Sequence, residues 1–173
     1  MIGEVVTNLR RLKPSRSTPR RGDVFAMQLP DETHLFGRVI GAQLEPPRAP
    51  MPRSYLIYVY RERSAGKAAP LAALTPDRLL LPPVFINQMP WTKGYFETIA
   101  QTQLQSHDLL RQHCFRRWTG EVLDEQGNKL PAPVEPCGDW GLSSYRWLDD
   151  QISEALGIPR APIEEDDPRP GRG

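Results

Sequence analysis

Two short runs of alternating apolar and polar residues, 22–29 and 34–40, flank a polar stretch, Pro30-Asp31-Glu32-Thr33. In the first run Phe25, Met27 and Leu29 point one way and Val24, Ala26 and Gln28 the other, the period of two that a β-strand requires. In the second run Leu35, Gly37 and Val39 share one face, and Phe36, Arg38 and Ile40 the opposite face. Proline presets φ and aspartate can hydrogen-bond its own backbone, so the intervening residues suit a turn. The pattern predicts a β-hairpin. Gly37 in mid-strand predicts a bulge or a close approach by a neighbour. Arg38 lies among apolar residues and needs a carboxylate, for which Asp23 across the hairpin is the candidate. A structural ion pair is the simpler reading of these two than a ligand site.

Farther along, Tyr55-Leu56-Ile57-Tyr58-Val59-Tyr60 is nearly continuous in apolar and aromatic residues. Such content predicts a strand buried on both faces, central in a sheet. Residues 61–74 are charged and then alanine-rich, compatible with a short helix or a loop. Thr75-Pro76-Asp77 has the form of a helix start, and Leu79-Leu80-Leu81 is too short to separate strand from helix. Between Met89 and Thr98, Trp91, Tyr95 and Phe96 crowd among Pro and Gly. Two readings compete there: a loop that buries these rings as a satellite core, or an aromatic patch that engages a partner. Residues 113–131 predict a second hairpin, with a turn at Gln126-Gly127-Asn128. Its Arg116-Arg117-Trp118 corner reads as a contact for an acidic partner or RNA, or as a solvated edge with Trp118 turned inward.

The clearest helix is last. Ser143 or Ser144 caps it, Tyr145, Leu148, Ile152 and Leu156 make one apolar stripe, and Gly157 and Pro159 end it. Asp149, Asp150 and Glu154 fall off the stripe. Residues 1–20 read as a loosely attached arm with one short strand near Val5-Val6, 21–157 as a single domain, and 158–173 as a flexible acidic tail.

Composition narrows the classes. The 173 residues suffice for one domain with a real core. Their 19 prolines, clustered at 46–52, 82–83 and 131–136, predict short elements joined by rigid connections. Lys and Arg number 22 against 21 Asp and Glu, which makes nucleic acid an unlikely partner. The sequence has no apolar run of bilayer length and no apolar signal-peptide core, so a cytoplasmic protein with both Cys114 and Cys137 reduced is expected. A phosphate-cradling glycine loop and a Gly-x-Ser-x-Gly elbow are both missing. His34, His107 and His113 do not combine with the cysteines in any standard zinc spacing. Asp149-Asp150 and Glu164-Glu165-Asp166-Asp167 read as solvated carboxylates. No catalytic residue, metal or cofactor is expected from these motifs.

Gly22-Asp23-Val24-Phe25-Ala26 and Phe36-Gly37-Arg38-Val39-Ile40 together resemble the start of the immunity protein 26 family of bacterial polymorphic toxin systems. Pro82-Pro83, Asn87, Trp91 and Gly94-Tyr95-Phe96-Glu97-Thr98 look like its middle block. Cys137-Gly138-Asp139-Trp140-Gly141-Leu142-Ser143-Ser144-Tyr145 with Leu148-Asp149-Asp150 is similar to its closing block, so the resemblance spans about 20–157. It implies a small inhibitor, without catalysis or cofactor, that binds and neutralises a cognate toxin in the cytoplasm. It also implies an α+β, mainly β domain, here expected as a curled antiparallel sheet or small β-barrel with a C-terminal helix. The expected partner contacts are Trp91, Tyr95, Phe96, Arg116, Arg117 and Trp118, with toxin specificity in loops 44–53 or 61–74 as the other option. Gly22, Asp23, Gly37, Arg38, Trp140 and Asp149 are expected to be structural. Two alternatives remain open: a nucleic-acid-binding small barrel, and a small ligand-binding protein or hydrolase built on Asp23 and Arg38.

Overall fold

The computed structural model describes residues 6–163. In chain order the strands are β1 (Asp23–Gln28), β2 (His34–Leu44), β3 (Ser54–Val59), β4 (Val84–Ile86), β5 (Glu97–Gln101), β6 (Cys114–Arg116), β7 (Val122–Leu123), β8 (Cys137–Asp139) and β9 (Leu142–Ser143). The α-helices are α1 (Met89–Lys93) and α2 (Tyr145–Leu156), with 3-10 turns at Leu71–Ala73, Pro76–Arg78 and Ser106–Asp108. Six strands form one sheet in the order β5-β1-β2-β3-β4-β9, and three form a second, β7-β6-β8. The domain is mainly β with a C-terminal helix, as the sequence predicts. The large sheet is open and not a closed barrel, and neither sheet is purely antiparallel: β9 joins β4 in parallel in the large sheet, and β8 joins β6 in parallel in the small one. Hairpin signals reveal only antiparallel neighbours that follow one another closely in the chain.

The opening hairpin forms as the alternation predicts. Its turn is closed by the Leu29 N–H donating to the Thr33 carbonyl at 2.8 Å. The Asp31 carboxylate accepts from the Thr33 N–H and hydroxyl at 3.0 and 2.6 Å. Phe25, Met27, Leu29, Leu35 and Val39 enter one apolar cluster, while Val24, Ala26, Phe36 and Ile40 enter a second on the opposite face. Central β3 divides likewise, with Tyr55, Ile57 and Val59 in the first cluster and Leu56 and Tyr58 in the second. The sheet is therefore buried on both sides. α2, α1 and the N-terminal segment cover one face, and the small sheet covers the other through Phe115, whose ring lies 4.5 Å from that of Phe85.

Gly37 faces Phe25 across the hairpin. A Cβ there would meet Phe25 Cζ at 2.2 Å and the Tyr58 carbonyl oxygen at 2.8 Å. Glycine is present because an aromatic ring occupies the side-chain position. That ring is stacked on Phe96 at 4.2 Å and edge-on to Trp91 at 5.4 Å, and Trp91 and Phe96 meet at 4.9 Å. The irregularity in β2 falls nearby, between Val39 and Gly41 and again before Leu44, and not at Gly37 itself.

Three expectations are corrected. The N-terminal segment is bound to the domain: Leu9 is buried, Arg10 bridges to Gln28, and the N–H groups of Leu12 and Ser15 donate to the Gly94 and Trp91 carbonyls at 2.7 and 3.0 Å. Of the expected Val5-Val6 strand, Val5 lies outside the described residues and Val6 is exposed and outside any strand. Asp149 and Asp150 are buried and not solvated. Asp149 accepts the backbone N–H groups of Asn8 and Leu9 at 3.0 and 2.8 Å and so pins the arm to α2. Hydrogen bonds to a charged acceptor contribute about 1.5–3 kcal/mol each, enough to overcome a weak intrinsic preference of the arm. The acidic run 164–167 lies outside the described residues.

The helix follows its sequence signals. Ser144 caps it by accepting the Trp147 N–H at 3.2 Å, and Gly157 ends it with φ 71°.

Gly37→Ala is expected to destabilise the domain by about 1–3 kcal/mol through overpacking against Phe25. Gly66→Ala, where an added Cβ meets nothing within 4 Å, should stay within about 0.5 kcal/mol. Urea unfolding midpoints of the two variants check this, and equal midpoints would contradict it.

Candidate functional site

Among the described residues the most exposed large hydrophobic side chain sits on the β6–β7 turn. Cys114 and Phe115 are buried, and the chain then turns outward through Arg116 and Arg117. The turn closes with the Arg117 N–H donating to the Glu121 carbonyl at 2.8 Å and the Gly120 N–H to the Arg117 carbonyl at 2.9 Å. Gly120 takes φ 94°, a conformation open to glycine. Trp118, at the tip, is 97% exposed. Arg117 pairs with Glu121 at 3.6 Å, Lys129 pairs with Glu121 at 3.1 Å, and Arg116 donates to the Gly120 carbonyl at 3.4 Å.

This projection is braced from below. Asp124 accepts the Gln126 and Asn128 N–H groups, both at 2.9 Å, and folds the next turn tightly. Gly127 has φ 83°, and a Cβ there would meet the Pro47 carbonyl oxygen at 2.2 Å. The proline-rich loop after β2 and the turn after β7 are therefore packed against each other. β6 in turn carries β8, with Cys114 opposite Cys137 and Arg116 opposite Asp139. Both cysteines are free thiols. Burial pushes the Cys137 thiol up to about 12, with the neighbouring Cys114 thiol adding to the effect.

The sequence-derived contact residues separate into two groups. Arg116, Arg117 and Trp118 stand together in solvent. Trp91, Tyr95 and Phe96 are buried, their rings committed to Phe25 and, for Tyr95, to a stack with Tyr145 at 5.1 Å. The aromatic block thus packs inward, not as a satellite but within the same apolar cluster as Phe25, Ile57 and Leu148, and the partner patch expected from it does not face solvent.

Asp23 and Arg38 do not pair. Register places Arg38 opposite Val24, so Arg38 shares the face of Val24 while Asp23 shares the parity of Phe25. Arg38 lies 3.3 Å from Asp108, and Asp23 accepts the Arg20 N–H at 2.8 Å. Gly22 has φ 91° and backs onto the Thr102 carbonyl. Trp140 packs edge-on against Phe85 at 5.4 Å. Among the described residues no three His, Cys, Asp or Glu side chains are grouped as metal ligands. In the same residues no helix is long and apolar enough to cross a membrane.

One buried polar chain was invisible in the sequence because its members are far apart. The Tyr58 hydroxyl accepts the Leu110 N–H at 3.1 Å and lies 2.6 Å from His113 Nε2, while His113 Nδ1 faces Glu125 at 3.4 Å. A neutral imidazole with its proton on Nδ1, toward Glu125, and Nε2 accepting from the Tyr58 hydroxyl satisfies every contact in this chain. Burial raises Tyr58 to about 12 and lowers His113. The chain ties the small sheet to β3 beneath the Trp118 turn.

A histidine held below its ordinary value of 6.5 resists protonation in the folded state only. Its contribution to stability is full above about 6.5 and is lost as pH falls below that value toward the folded pKa. Urea midpoints taken from about pH 8 to about pH 5 are expected to fall, and His113→Gln should flatten that fall. An unchanged pH profile in the variant would contradict it.

Residues 20–120 match the family model described as Immunity protein 26. The matched span takes in the opening hairpin, the buried aromatic block and the Trp118 turn, and ends before the closing block at 137–150. No curated protein and no solved structure matches the chain.

Proposed function

The chain belongs to the immunity protein 26 family, and from that premise we propose that it is an immunity protein that binds a cognate toxin and neutralises it by occlusion in the cytoplasm, without catalysis. The observation that carries this reading is Trp118, an almost wholly exposed indole on a braced turn, directly after two arginines. Tryptophan and arginine dominate interface hot spots, and an indole left in water contributes little to the fold itself. A pre-formed surface of this kind binds without first ordering a loop, which lowers the entropic cost of association. An interface of roughly 800 Å² on each partner is enough to cover an active site. Family membership points to a non-enzymatic role. The ligand-site alternative loses its motivation, since Asp23 and Arg38 lie on opposite faces of the sheet.

The test is co-expression with the toxin encoded beside this protein, together with gel filtration of the pair. The unmodified protein is expected to protect cells and co-elute with the toxin. Trp118→Ala should weaken binding by at least about tenfold, with the urea midpoint unchanged. Full protection by Trp118→Ala would move the contact elsewhere, for instance to loops 44–53 or 61–74. A toxin that stays lethal with no complex formed would reject the inhibitor reading for that pair.

A further inference from the structure

Beside the Trp118 turn lies a half-open cleft of about 280 Å³, bounded by β8, β9, α2 and the Pro82-Pro83 run. It is built largely from the closing block, which lies beyond the family match. It is joined rigidly to the turn, because Asp139 stands opposite Arg116 in the β6–β8 ladder and the Trp140 N–H donates to the Arg116 carbonyl at 2.9 Å.

The chemistry of the cleft is one-sided. Asp139 is exposed and makes no ion pair or side-chain hydrogen bond with the described residues. Gln151 presents a buried Oε1 that receives no hydrogen bond. A buried acceptor without a donor costs about 1–3 kcal/mol and is relieved by a ligand that brings one. Among the described residues no Lys, Arg or His lines the cleft. Glu135, whose carboxylate accepts the Cys137 N–H at 3.2 Å, adds a second negative charge close by. The guanidinium of Arg116, opposite Asp139 in the ladder, is turned to the Gly120 carbonyl and is not part of the lining. The apolar walls are Leu142 and Trp147, 37% and 45% exposed. Trp147 and Gln151 are one helical turn apart on α2, so the indole and the free carbonyl face the cleft together.

We propose that this cleft receives the cationic side chain, arginine or lysine, of the protein that docks on the Trp118 turn. The alkyl stem would lie along Leu142 and the Trp147 ring, with the charged head donating to Asp139 and to Gln151 Oε1. Cation–π attraction to the indole adds to the fit. The volume lies at the lower limit for drug-sized pockets, about 300 Å³, and suits one side chain better than a free metabolite. The surface then has a knob, Trp118, and beside it a hole of negative character. This deepens the toxin-binding reading and rests on it for the identity of the donor protein.

Binding is tested on the isolated full chain, without a toxin. The Trp147 indole N–H resonance, assigned with Trp147→Phe, is followed by NMR during titration with N-acetyl-arginine amide, N-acetyl-norleucine amide and N-acetyl-glutamate amide. A saturable shift with the arginine probe is expected, weakened about five- to tenfold by Asp139→Asn. The other two probes should give no saturable shift. Equal binding of the norleucine probe, tighter binding of the glutamate probe, or no saturable shift with arginine would each overturn the proposal. Because this readout involves no toxin, its failure is separable from failure of the co-expression test.

Discussion

The ring of Phe25 lies on the bare backbone of Gly37, and most of the domain is organised around that contact. It requires β1 and β2 to pair in one register, since a slip of one residue would drive the ring into a side chain. The same ring supplies the platform on which Phe96 stacks and against which Trp91 stands. Those two residues are held by the short helix and left-handed Gly94 between them. The backbone carbonyls of Trp91 and Gly94 then receive the N-terminal segment. One glycine thus permits an aromatic cluster, and the cluster sets the position of a helix, an edge strand and the arm.

Burial of the central sheet on both faces limits where function can sit. Side chains of β1, β2 and β3 are used in packing, the tyrosines of β3 included. Outside that sheet, the margin of the small second sheet presents side chains to solvent. There Phe115 anchors β6 in the core while the next three residues leave it, and the His113–Tyr58 contact fixes the base of the turn. The exposed indole and the neighbouring cleft are carried on a rigid support, which suits a surface that acts by shape and charge alone.

Much of this was legible in the chain. Alternation in 22–40 gave both faces of the hairpin correctly, the 55–60 run announced a central strand, and Ser144, the apolar stripe and Gly157 defined α2. The failures share a cause: each depended on how one segment sits against another, which periodicity within a segment does not specify. Period-two alternation divides β1 and β2 into faces but does not say which face of one matches which face of the other, so Asp23 and Arg38 looked like partners. Asp149 looked solvated because its position off the apolar stripe says nothing of the arm that docks on it. Trp91 and Trp118 each lie near a basic and an aromatic residue in sequence, yet one is buried and one is not. The difference lies in Gly37, whose missing side chain makes room for the Phe25 ring, and in the turn that carries Trp118 past the end of β6.

The central claim is that the Trp118 turn and the adjoining cleft form one pre-built contact surface for a toxin. Hydrogen–deuterium exchange on the free chain and on its complex with the neighbouring toxin addresses it most directly. Protection gained on binding is predicted to concentrate in residues 116–120 and 137–147, with β1 and β3 unchanged. Protection confined to loops 44–53 or 61–74, with the Trp118 turn exchanging as in the free chain, would contradict the account.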